Sequence, residues 1–243
     1  MTDTSADTRR RRILITGGSS GIGRAAAEHL SRTDDVWVWG SRADTAANAA
    51  AACNARGHAG VDVRDLAAVE GAIAAIVADA GGLDGVFINA GIDGPGLPVE
   101  QITPEGFRDV LDVNVIGAFN VARAVIPVLH RPGTLLFNAS VNAMRPEAHF
   151  VDYNASKAAL RMIGQTLDIE LHGTGVSVSI VHPGFVESDI RRVDNQGALH
   201  AEARDPLPAW IRMSAETAAR KIVCAVARGK REGVITFHGK LAV

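Results

Sequence analysis

Residues 12–30, RILITGGSSGIGRAAAEHL, decide the architecture. A short β-prone run, 12–16, leads into the turn TGGSSGIGR and then into an alanine-rich segment suited to a helix. Gly17, Gly21 and Gly23 give the spacing G-x-x-x-G-x-G at a strand-to-helix junction. A chain that must turn tightly there, admit a pyrophosphate to its backbone and aim helix N–H groups at that anion has no room for side chains. Ser19 and Ser20 add hydroxyls to the same turn. A strand-to-helix turn that uses glycine only for its backbone freedom is the blander reading; the context favours a dinucleotide site.

The same alternation continues through the chain. β-prone runs lie at 36–39, 58–63, 83–89, 133–140, 175–182 and 233–238, separated by longer segments rich in alanine and leucine. Strands apolar on both faces belong to a parallel sheet covered by helices on both sides. The rhythm predicts an α/β, doubly wound, mostly parallel seven-stranded sheet, a Rossmann fold. Gly57 is expected to stop the second helix, Thr103-Pro104 to open the fourth and Ser214 to cap the last. Residues 12–243 read as one domain after a polar, basic tail at 1–11, whose Arg9–Arg12 run reads as solvated and mobile. The long irregular stretch at about 183–208 reads as a substrate loop.

Bulk properties narrow the function classes. Of 243 residues, 47% are apolar and 21% charged, as in a globular enzyme. The net charge of −2 gives no electrostatic case for nucleic acid. No apolar run is expected to span a membrane, and "ILIT" is too short for a signal-peptide core, which suggests a cytoplasmic protein. Cys53 and Cys224 are too few for a disulfide framework and read as small buried or half-buried residues. The eight histidines show no paired metal-ligand spacing, so no catalytic metal is expected.

The chain has one tyrosine, Tyr153, and it stands four residues before Lys157 in VDYNASKAAL. On a helix the two share a face. A free phenol is a poor base at neutral pH; an ammonium beside it favours the phenolate and lets it exchange a proton with an alcohol or carbonyl. Ser140, at the end of the fifth strand, can stabilise charge on the reacting oxygen. Asn114 is polar in an otherwise apolar helix, where it either disturbs the helix or serves a specific bond.

The glycine turn, VDV at 61–63, NAG at 89–91, Asn114, Ser140, Tyr153/Lys157 and HPG at 182–184 occur in one order, and in that order the chain resembles the short-chain dehydrogenase/reductase family in its compact form. The resemblance implies a cofactor site of Gly17, Ser19, Ser20, Gly21, Ile22 and Gly23, with Asp62 and Val63 at the adenine. It places Asn89, Ala90 and Gly91 beside the ribose, and Pro183, Gly184, Val186 and Ser188 over the nicotinamide, with Ser188 where the family usually carries threonine. Tyr153 is then the acid/base, Ser140 steadies the reacting oxygen, Lys157 also binds the ribose, and Asn114 holds a water linking Lys157 to solvent. The family packs helices at 104–130 and 152–172 between subunits, which implies a homo-oligomer, a tetramer or dimer.

The second strand ends near Trp39-Gly40, followed by Ser41, Arg42, Ala43 and Asp44. An NAD site needs a carboxylate there; an NADP site needs a cation for the 2′-phosphate. Ser41 takes the place of the family's acid and Arg42 follows it, which favours NADP, although Ser20 stands where a second cation would be expected. NAD stays possible through Asp44, which otherwise reads as a helix N-cap. The expected reaction is hydride transfer between nicotinamide and a small-molecule carbonyl or secondary alcohol. The alternatives are an NAD-linked alcohol dehydrogenase and a dinucleotide-sensing protein without catalysis. Val141, Asn142, Met144, His149, Phe150 and the loop 187–208 are the pocket candidates; Arg191, Arg192 and Arg204 in that loop would suit an anionic substrate, but a solvated loop explains them better.

Overall fold

A computed structural model describes residues 9–187 and 211–236. Seven strands form one sheet in the order β3-β2-β1-β4-β5-β6-β7. They are β1 (Arg12–Ile15), β2 (Asp35–Gly40), β3 (Gly57–Gly60), β4 (Leu83–Ile88), β5 (Leu129–Asn138), β6 (Val176–His182) and β7 (Glu232–Val234). Every neighbouring pair is parallel. The order reverses between β1 and β4, the point at which open α/β sheets bind ligands beyond their carboxyl ends.

Side-chain alternation divides the core into two layers. Leu14, Trp37, Trp39, Val86, Ile88, Leu135 and Phe137 face one side, where α3 (Leu66–Ala80), α5 (Ala118–Val125) and α6 (Val151–Glu170) supply Ile73, Val121 and Leu160. Ile15, Val36, Val38, Phe87 and Leu136 face the other, against α1 (Gly21–Leu30), α2 (Ala43–Cys53) and α7 (Ala215–Ala227). The second layer is thin because its helices present alanines, among them Ala25, Ala26, Ala27, Ala49 and Ala219.

The helix boundaries follow the chemistry of the caps. Thr103 accepts a hydrogen bond from the Gly106 N–H with Pro104 in the first turn of α4 (Pro104–Leu111), and Ser214 accepts from the Thr217 N–H. The expected stop at Gly57 is corrected: Asn54, left-handed at φ 54°, ends α2, and Gly57 opens β3, where a Cβ would meet the Trp37 ring. Asp44 is also not a cap. Arg42 occupies that position and Asp44 lies in the first turn.

Residues 9–11, read from sequence as part of a solvated tail, are fastened by ion pairs. Arg9 and Arg12 hold Asp84, Arg10 holds Asp35, and Arg11 clasps Asp34 with two bonds of 2.7 and 3.0 Å. Both cysteines are free, Cys53 half-buried and Cys224 exposed rather than buried. The helical run Pro104–Val128 is long and apolar enough by composition to cross a membrane, contrary to the sequence expectation. Its buried positions, including Val110, Asn114, Val121 and Val125, pack into the domain.

Candidate active site

The glycine turn is clamped from beneath. Asn89, just after β4, donates from Nδ2 to the carbonyls of Thr16 and Gly17, both at 3.1 Å. Its side-chain oxygen accepts from Asn138 Nδ2 at 2.8 Å, and the N–H groups of Asn89 and Ala90 donate to Thr16 Oγ1. These bonds bring the ends of β1, β4 and β5 into one rigid floor. Sequence reading had missed Thr16 and Asn138; their polar type at the ends of apolar strands was the available signal.

The two outer motif glycines are sterically required. At Gly17, with φ +61°, a Cβ would come within 2.8 Å of Ala90 Cα. At Gly23 it would run into the Gly17 carbonyl and Asn89 Nδ2. Ser20, the residue before α1, makes no side-chain cap, whereas Asp65, Thr103 and Ser214 cap α3, α4 and α7. The N-terminus of α1 therefore lies over a glycine cradle with its positive dipole end uncapped by a side chain, which suits a pyrophosphate.

Beyond the carboxyl ends of β2 and β3, Asp44 and Asp62 are each held by a nearby arginine. Arg42 pairs with Asp44 at 2.6 Å, both side chains more than half exposed, and the hydrogen bond from Arg42 lowers the Asp44 pKa. Asp62, at the carboxyl end of β3, is gripped by Arg64 at 2.7 Å, which likewise lowers its pKa. Ser19 Oγ lies beside Gly40, where an added Cβ would approach it to 3.0 Å. Ser41 is exposed, Ile22 half-buried and Val63 buried against Gly117.

Tyr153 and Lys157 stand on one face of α6. Lys157 Nζ lies 5.5 Å from the Tyr153 ring centroid and donates to the Asn138 carbonyl at 3.0 Å. The lysine is 3% exposed. Burial pushes its pKa down to about 8, against an upward pull from Asp93. Gly91 makes room for this approach, since a Cβ there would sit 3.0 Å from Asn114 Oδ1 and 3.5 Å from Lys157 Nζ.

Asn114 both disturbs its helix and serves specific bonds. It lies in a π-turn, Asp112–Gly117, between α4 and α5. Its side chain accepts from the Ile92 N–H at 2.8 Å and donates to the Ile92 carbonyl and Ser156 Oγ, each at 2.9 Å. These bonds pin the segment after β4 to α6. Ser140, 7% exposed, follows β5; its Oγ accepts from the Asn142 N–H and has a long 3.4 Å contact to Asn142 Oδ1. The Val141 N–H donates to the Pro183 carbonyl, and the Gly184 N–H donates to Thr236 Oγ1. Val186 bridges to Met213. Among the pocket candidates, Asn142 is tied to Asn154 at 2.9 Å, and His149 is exposed with φ 70°. Ser188 and the arginines at 191, 192 and 204 lie outside the described residues.

The glycine cradle, the floor beneath it and the Ser140–Tyr153–Lys157 cluster all lie at the carboxyl ends of the strands. The profile of one family, described as short chain dehydrogenase, matches residues 11–198. The chain belongs to the short-chain dehydrogenase/reductase family. With that family it is an oxidoreductase of CH–OH and C=O groups. An uncharacterised oxidoreductase of Myxococcus xanthus is 35% identical over 197 residues, 78% of each chain. Levodione reductase of Leifsonia aquatica is 32% identical over 211 residues, 80% of this chain and 79% of the relative. A short chain dehydrogenase of Mycobacterium paratuberculosis bound to NAD superposes with a TM-score of 0.77 at 26% identity, covering 92% of this chain and 95% of that one. One from Shigella flexneri complexed with NADP gives 0.81 at 24% identity, covering 94% and 98%. Members of the fold thus hold either dinucleotide.

Proposed function

We propose that the chain is an NADP(H)-preferring oxidoreductase that moves a hydride between the nicotinamide and a small-molecule carbonyl or secondary alcohol, with Tyr153 as general acid/base. The observation that carries this reading is the buried Lys157 ammonium facing the Tyr153 ring. A bound nicotinamide supplies the hydride. The protein's part is to orient the reactants and handle the proton.

Lys157 spends one of its three donors on Asn138 and has no other hydrogen-bond partner among the described residues, so two remain for ribose hydroxyls. Its positive charge stabilises the Tyr153 phenolate, and Tyr153 Oη takes the proton from an alcohol or returns it to a carbonyl. Among the described residues the Ser140 hydroxyl proton has only the long contact to Asn142, which leaves it available to the reacting oxygen. Asn114 holds Ile92 and α6 in place with both amide N–H groups and one Oδ1 lone pair, which leaves the second lone pair for a water in the relay from Lys157.

Arg42 supports NADP. It is exposed at the end of β2, with the neutral Ser41 where an NAD site would carry an acid. Asp44 supports the NAD reading, since it is an ionised carboxylate beside the same guanidinium. Parallel titrations with NADPH and NADH, followed by nicotinamide fluorescence, decide between them. Tighter NADPH binding is expected, tighter NADH binding returns the ribose to Asp44, and binding of neither defeats the reading as a whole.

Relatives include both reductases and dehydrogenases, so carbonyl reduction and alcohol oxidation are screened side by side. Exposed Ile116 and Phe119 on the 104–128 helical run and Met162 and Ile169 on α6 support a homo-oligomer joined through those faces. Light scattering on the purified chain tests that assembly.

A further inference from the structure

A polar chain, fully buried at His182 and half-buried at Glu232, Arg161 and Gln165, joins α6 to Ser140 outside the Tyr–Lys pair. His182, the last residue of β6, is wholly buried. Its Nδ1 lies 2.9 Å from the Ser140 carbonyl oxygen and its Nε2 lies 2.8 Å from Glu232 Oε1. Glu232, the first residue of β7, accepts from Arg161 Nε at 2.6 Å and from Gln165 Nε2 at 2.9 Å. Tyr153, Lys157, Arg161 and Gln165 recur every four residues, so one stripe of α6 carries both the acid/base pair and the clamp on Glu232. Arg231 adds a second tie from the start of β7 to α6, through Asp168 at 3.0 Å.

The hydrogen bonds fix the state of the ring. A backbone carbonyl accepts and cannot donate, so Nδ1 must carry a proton. Glu232 is an ionised carboxylate: burial would raise its pKa, but hydrogen bonds from Arg161, Gln165 and His182 outweigh that and hold it at about 2. It too can only accept, so Nε2 must carry a proton. A neutral ring in either tautomer would set a lone pair against an acceptor inside the protein, where an unmade bond is costly.

We propose that His182 is a positioning residue for Ser140: a doubly protonated imidazole, anchored by Glu232, whose Nδ1–H holds the Ser140 carbonyl and thereby aims the Ser140 hydroxyl at the oxygen served by Tyr153. Lys157 holds the Asn138 carbonyl two residues earlier on the same chain. The serine segment is thus tied to the acid/base helix directly through Lys157–Asn138 and Asn142–Asn154, and a third time through His182, Glu232, Arg161 and Gln165. The catalytic half of this inference rests on the reaction proposed above; the protonation half does not.

The first measurement is on the wild-type protein and needs neither substrate nor variant. Long-range proton–nitrogen spectra of histidine-labelled protein near neutral pH should show both His182 ring nitrogens protonated, with slowly exchanging protons. One bare ring nitrogen overturns the proposal. His182→Asn and His182→Gln then separate the two arms, because an asparagine amide replaces the Nδ1 donor and a glutamine amide the Nε2 donor.

Loss of the bond to Ser140 in His182→Gln should lower kcat on the order of 10- to 100-fold, as misplaced groups do. NADPH and ethyl acetoacetate serve as the generic probe, and cofactor Kd should stay within about twofold. His182→Asn should lose several-fold less. The Val141 amide resonance reports the serine segment without turnover, and it should move further in His182→Gln than in His182→Asn. If the two variants shift that resonance equally, or lose kcat in step with their thermal stability, His182 is packing only and the proposal fails.

Discussion

Lys157 makes stability depend on alkaline pH in a way that can be isolated by one substitution. Its pKa falls from 10.5 in the free side chain to about 8 in the fold because burial disfavours the ammonium. Between those values the unfolded chain binds a proton that the folded chain has released, so stability rises with pH there. Below both values the ammonium is charged in each state and its burial cost is present in full. A shift of this size, integrated from about pH 7 to about pH 10.5, amounts to about 3 kcal/mol. A chain of this length has an unfolding entropy of about 0.5 kcal/mol/K, so the change in melting temperature is about 6 °C.

Lys157→Met keeps most of the side-chain volume and removes the titration. It also leaves the Asn138 carbonyl without its donor, an offset that does not vary with pH. The quantity to measure is therefore the difference in melting temperature between wild type and Lys157→Met, by calorimetry without cofactor, across that pH range. The difference should swing in favour of the wild type by about 6 °C as pH rises. A difference that stays flat would refute the buried, desolvated ammonium and with it the argument for how Tyr153 is tuned.

Tyr153→Phe should lower kcat by about 10²- to 10⁴-fold, the range for loss of a general acid/base, while NADPH titration returns nearly the wild-type affinity. Arg42→Ala should weaken NADPH binding on the order of tenfold and leave NADH binding close to unchanged, read in parallel fluorescence titrations. Gly23→Ala should destabilise by about 1–3 kcal/mol, because the new Cβ strikes the Gly17 carbonyl and Asn89 Nδ2, and should lose dinucleotide binding with it. A calorimetric scan that shows no loss of stability would mean the turn is looser than its contacts indicate.

The layered sheet was legible because the strands alternate between two apolar faces and the helices between them carry buried apolar stripes, alanine-rich on α1, α2 and α7. Leu14 and Ile15 enter different cores one residue apart. The glycine turn and Tyr153/Lys157 were legible for a related reason: their chemistry is local, carried by spacing within a few residues. What the sequence hid is long-range pairing. Arg9–Arg12 read as a solvated tail because Asp34, Asp35 and Asp84 are remote in the chain, yet the sheet brings them within hydrogen-bonding distance. His182 was noticed only as part of HPG, since its partner Glu232 lies 50 residues on and Arg161 lies 71 residues before Glu232. Asp44 read as a cap because Asp favours that position; the helix begins one residue earlier, and the carboxylate turns to Arg42 instead. Asn54 ended α2 before Gly57 because asparagine tolerates the left-handed backbone that a helix stop requires.

On the proposed function the site divides into a binding half and a proton-handling half, and Asn114 is where they meet. The glycine cradle and Asn89 belong to β1 and β4, which flank the switch point of the sheet. Ser140, Tyr153 and Lys157 belong to β5 and α6. The π-turn at 112–117 changes the helix phase, and the Asn114 amide closes two bonds to the Ile92 backbone on one side and one to Ser156 on the other. Asparagine alone among small side chains offers an acceptor and two donors at that reach. Aspartate would set a second acceptor against the Ile92 carbonyl, and a serine would be too short to reach both partners. The irregular helix is thus the element that holds the nucleotide floor and the acid/base helix at one fixed separation, on which transfer between cofactor and substrate depends.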